Sequence, residues 1–223
     1  MPIVDLLLFV TGAAMAWFGR WQAGDLVWGL WLSSLVVGYG LLLTGIFTPV
    51  LRGDPSGWGM GQDGPPDRGQ RAPSPALSPG RRWIVRLFEL PVALFLVVFF
   101  TLHFGLFHLI HGVFLSLFFP PGNHAPTGDL RVLAQDLRQV VITRWPFLVL
   151  SIVSARDAFA QAAVAFTPMT SYRNVLRMHL LIFFFAFAKI VHLDGRLVYL
   201  AVLFVYFYPW EAMRRVAGLG PGR

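Results

Sequence analysis

Three histidines stand in one short apolar run, His103-Phe104-Gly105-Leu106-Phe107-His108-Leu109-Ile110-His111-Gly112-Val113-Phe114. In a helix turning 100° per residue, His111 lies about 80° round from His103 and His108 about 60° from His111. All three then share an arc of roughly 140°, so one face of the helix is a histidine face. Gly105 and Gly112 would let a second helix or a flat ligand approach that run closely. Neutral imidazoles beside a carboxylate suit Zn²⁺, Fe²⁺ or a similar divalent ion, and imidazoles on facing helices suit the axial positions of a haem.

Which residues can join them depends on depth along the helix. Counted at 1.5 Å per residue from Pro91, His103 lies about 18 Å along and His111 about 30 Å. Two groupings follow. An outer one collects His108, His111, His192 and Asp194, with His124 nearby, as metal or haem candidates. An inner one sets His103 level with Arg156 and Asp157, where a neutral imidazole would hydrogen-bond a buried charge pair, most simply at Asp157. Other catalytic signatures are missing: there is no H-E-x-x-H, no G-x-S-x-G, no P-loop and no dinucleotide-binding glycine run. With no cysteine in the chain, disulfides, thiolate metal sites and cysteine nucleophiles are also excluded.

The elements that must position these residues are set by composition. Of the 223 residues 56% are hydrophobic and only 13% charged, and the mean hydropathy is +0.63. A water-facing domain carries about 25% charged residues, so the chain reads as an integral membrane protein. Its net charge of +7 is not a nucleic-acid footprint. Seventeen of the eighteen basic residues are Arg, and most sit singly at the ends of apolar runs, where topology collects them. No nucleic-acid partner is expected.

Crossing a hydrocarbon core about 30 Å thick takes roughly 20 apolar helical residues. Six stretches qualify: about Ile3–Phe18, Leu26–Leu51, Pro91–Phe119, Pro146–Phe166, Val175–His192 and Leu197–Trp210. The first lacks a basic n-region and carries Asp5, so it reads as a retained helix and not a cleaved signal. Gly53–Gly80, rich in Gly, Pro, Ser, Asp and Arg, reads as a flexible loop. Residues 128–144 set Leu130, Leu133, Leu137 and Val140 at helical spacing against Arg131, Asp136 and Arg138, which predicts an amphipathic helix on the membrane surface. The expected fold is an all-α polytopic transmembrane bundle of about six helices plus that surface helix. Ser34 with Gly38, and Ala158 with Ala162, are small pairs suited to close helix packing. Arginine is concentrated on the side holding both termini and the 53–80 loop, which predicts cytoplasmic termini.

The run H-F-G-x-F-x-x-x-H-G-x-F, His103 to Phe114, resembles the signature of a bacterial family of multi-spanning membrane proteins known only as a domain of unknown function. Arg177-Met178-His179-Leu180-Leu181-Ile182 and the Trp28–Leu43 run with Trp31-Leu32 are similar to further features of it. Relatives show an acid-amide pair after that Trp-Leu, where this chain has Ser33-Ser34. The resemblance implies a membrane location, about six helices, weight on His103, Gly105, His111, Gly112 and His179, and no assigned activity. Three functions stay open: a membrane protein with an intramembrane histidine metal or haem site, an accessory subunit of a larger membrane complex, and a small transporter. The transporter is weakest, because no internal repeat relates the two halves.

Overall fold

The structure is a computed structural model that describes residues 2–52, 79–121, 129–164, 168–192 and 204. Among these the chain is all-helical. The elements are α1 (Pro2–Phe18), α2 (Ala23–Arg52), α3 (Pro79–Phe100), a π-helical turn (Thr101–Gly105), α4 (Leu106–Phe118), α5 (Leu130–Ser154), α6 (Arg156–Ala162) and α7 (Pro168–Ile190). Because α3, the π turn and α4 run on without a break, the described residues form six helical stretches. Three of them are long and apolar enough to cross a membrane: Ala23–Leu51, Glu89–Phe118 and Leu130–Ser154.

Local chemistry explains where the helices start and stop. Pro2 opens α1 and Pro79 opens α3, a position where the missing N–H would be unsatisfied in any case. After α1 the chain closes a left-handed cap. Trp21 N–H donates to the Ala16 carbonyl at 3.0 Å and Arg20 N–H to the Trp17 carbonyl at 3.2 Å, with Arg20 at φ 50°. This is a Schellman closure built on an arginine where glycine is usual, and it seats Trp21 beside Ala16 in the core. Asp25 then accepts from the Gln22 N–H at 2.9 Å, the return half of a capping box for α2. At α5, the Asp129 carboxylate accepts from Arg131 N–H at 2.8 Å.

Three expected boundaries change. The third helix begins at Pro79, not Pro91, and includes the end of the expected 53–80 loop; Pro91 is accommodated inside α3, losing a single backbone donor. The expected surface helix at 128–144 and the span expected to begin at Pro146 are one helix, α5, with Pro146 in its interior. The expected fourth span, 146–166, is in turn interrupted at Ala155, after which the short α6 begins. The expected sixth span lies outside the described residues except for Phe204.

The chain divides into two compact units. The first takes residues 1–37, 108–155 and 174–223. Its core joins Ala16 of α1, Leu26, Trp28 and Trp31 of α2, Leu115 of α4, Leu133 and Val140 of α5, and Ile182 and Phe185 of α7. Within this unit α5 changes neighbours along its length. Leu133 lies against Gly112 of α4, Phe147 against Gly29 of α2 and Leu150 against Gly12 of α1. A helix running alongside a single partner would not do this; α5 passes across several. The second unit takes residues 38–107 and 156–173, with Leu41, Leu42, Ile46, Ala93, Phe100 and Phe104 buried.

Candidate functional site: a buried polar layer around His108

The first unit holds the site. α2 brings Trp31 and Ser34 to the face of α4 that carries His108 and Gly112, three and four residues apart as helix faces require. His108 is 1% exposed. Its Nε2 lies 3.3 Å from Ser34 Oγ, its ring centroid is 6.0 Å from that of Trp31, and its backbone carbonyl accepts from Trp31 Nε1 at 3.0 Å. Two turns further on, Ser116 Oγ donates to Asp136 Oδ2 of α5 at 2.7 Å, with both residues fully buried. At the end of α4, Trp28 Nε1 donates to the Phe119 carbonyl and Lys189 Nζ to the Phe118 carbonyl, each at 2.6 Å. The Lys189 ammonium also lies 5.0 Å from the Phe119 ring centroid. The last carbonyls of a helix have no partner inside it, and here α2 and α7 supply two.

Apart from the exposed Lys189 contact, these contacts tie polar groups to a neighbouring helix in an apolar interior, where an unsatisfied group costs about 1–3 kcal/mol. Ser34 Oγ and His108 Nε2, 3.3 Å apart, join α2 to α4. These contacts join α2, α4, α5 and α7.

Sequence reasoning missed Asp136, Ser116 and the role of Ser34. Asp136 was expected on the polar face of its helix, yet it is 2% exposed. The signal was present in the spacing: Asp136 is three residues after Leu133 and four before Val140, which places it on the apolar stripe. Ser34, expected as a small packing residue, is that and also the hydrogen-bond partner of His108.

Of the expected outer group, His108, His111 and His192 lie among the described residues. No three His, Asp or Glu side chains there come together in a way that could hold a metal ion. His108 turns inward to Ser34, His111 is half-buried, and His192 is exposed at φ 56°. His192 N–H donates to the Lys189 carbonyl at 3.2 Å, so this histidine ends α7 as a left-handed cap. Asp194, His124 and the His179 side chain lie outside the described residues. Side chains of α2 and α5 approach Gly112: a Cβ there would stand 3.3 Å from Trp31 Cζ2 and 3.4 Å from Leu133 Cδ1.

In the second unit, a Cβ at Gly105 would lie 2.6 Å from Tyr39 Oη, and one at Gly38 would overlap the Phe104 ring. Tyr39 Oη donates to the Thr101 carbonyl at 3.3 Å and its ring meets Phe104 edge-on at 5.3 Å. The π turn is thus latched by one tyrosine. The expected inner group, His103, Arg156 and Asp157, lies among the described residues. His103 is exposed and its ring stacks on Phe99 at 5.9 Å. Asp157 is 71% exposed and lies 3.7 Å from the Arg156 guanidinium. Both residues open α6 after the turn at Ala155.

No curated protein and no solved structure matches the chain. The profile of a family of unknown function, DUF6498, matches residues 5–208, nearly the whole sequence, and the chain belongs to that family.

Proposed function

We propose that the chain is a multi-pass protein of the bacterial inner membrane, with both termini cytoplasmic, acting as an accessory or structural subunit and not through a metal or haem centre. The observation that carries the membrane part is the outward surface of the long apolar helices. Only 17% of the most apolar window of Glu89–Phe118 is buried, and 6% of that of Leu130–Ser154. Leu94, Phe95, Val98, Phe99, Leu102 and Leu106 point outward along one of these stretches. In water that surface would far exceed the apolar patches a soluble monomer exposes; in a bilayer it is solvated. The subunit part is supported by the buried layer, whose polar groups are spent on helix packing. Purification in mild detergent tests it. Co-purification with one abundant membrane complex is the expected result, and a lone monomer contradicts it. Reporter fusions at Met1 and Arg223 test the orientation, with both active only on the cytoplasmic side.

A further inference from the structure

α5 carries one outward stripe along its whole length: Arg131, Gln135, Arg138, Ile142, Trp145, Val149 and Ile152, spaced alternately four and three residues apart, and all exposed. The stripe changes character once. Its first three members are polar or cationic, and its last four are apolar. A stripe facing water throughout would not end in four large apolar residues. One facing hydrocarbon throughout would not carry two arginines, each costing about 2.5–3.5 kcal/mol at a membrane centre.

A second contact marks the same level independently. Just past the change, the Arg144 guanidinium pairs with Asp25 and lies 4.6 Å over the Trp21 ring. Trp21 stands in the tight turn between α1 and α2, and Asp25 in the first turn of α2. Arginine and tryptophan collect where hydrocarbon gives way to water.

Resting on the multi-pass reading above, we propose that the boundary of a phospholipid bilayer crosses α5 between Arg138 and Ile142. Arg131, Gln135 and Arg138 stand among phosphate headgroups and water, while Ile142, Trp145, Val149 and Ile152 lie in hydrocarbon. α5 is then a slanting helix, half outside the membrane, and the α1–α2 turn sits at the same face.

The absence of cysteine makes the test direct. Single variants Q135C, R138C, V149C and I152C, with F95C on Glu89–Phe118 as a lipid-facing reference, are reconstituted in phosphatidylcholine nanodiscs and exposed to a charged, membrane-impermeant maleimide. Nanodiscs open both faces, so orientation does not enter. Only the thiolate reacts, and apolar surroundings suppress it. Q135C and R138C are expected to label at least about tenfold faster than V149C and I152C, with F95C as slow as the latter pair. If V149C and I152C label as fast as Q135C while F95C stays slow, the boundary is misplaced and the apolar half is a surface for a protein partner. Slow labelling at both Q135C and R138C also overturns the proposal. Fast labelling of F95C overturns the multi-pass reading along with it.

Discussion

Ser116 and Asp136 form the contact whose loss is easiest to read. Asp136 is 2% exposed, so its carboxylate depends on hydrogen bonds from its surroundings, one of them from Ser116. S116A is expected to cost about 1–3 kcal/mol, seen as a lower thermal midpoint in detergent. In a D136N background the same change should cost clearly less, because the two groups share one contact. Equal costs in both backgrounds would show that the hydroxyl acts elsewhere. Gly38 makes a steric prediction. G38A forces a methyl onto the Phe104 ring, an overpacking expected to cost about 1–3 kcal/mol, and F104L should recover part of it. At this scale the sequence was informative about which residues matter more than about how. His108 and Gly112 stood out by type and spacing, but the partners that spend them, Ser34, Trp31 and Leu133, come from other helices. Spacing within one helix carries no such information.

The helices show the same division. α1, α2 and the Glu89–Phe118 stretch follow from runs of apolar residues, which hydropathy reads well. The continuity of α5 does not, because Pro146 and the change from amphipathic to uniformly apolar both resemble a break. Proline inside a helix costs about 3 kcal/mol in isolation, and packing against α4, α2 and α1 is what α5 has to offset it. The start of α3 was hidden by a Pro/Gly-rich lead-in whose last proline is a first-turn residue. Helix ends yield a further test. Arg20 occupies a left-handed conformation that costs an ordinary residue about 1–2 kcal/mol, so R20G should raise the thermal midpoint by an amount equivalent to about 1 kcal/mol. H192G at the end of α7 should do likewise. It also separates two roles, since a cap loses nothing as glycine, whereas a metal ligand would take bound metal with it.

For the whole molecule, the outward apolar surface and the inward polar layer support one account. On it the helices face lipid outside, and Trp28, Trp31, Ser116 and Asp136 join helix to helix inside. That account expects purified protein to carry no stoichiometric Zn, Fe or haem by elemental and absorption analysis, and a stoichiometric signal lost in a His108/His111 double alanine variant would contradict it. Its central claim, that Ala23–Leu51, Glu89–Phe118 and the second half of α5 are solvated by hydrocarbon, is tested most directly by washing isolated membranes with alkaline carbonate, which strips peripheral proteins. The chain is expected to stay wholly in the membrane pellet and to leave it only on addition of detergent. Release into the carbonate supernatant as soluble protein would contradict the account at its base.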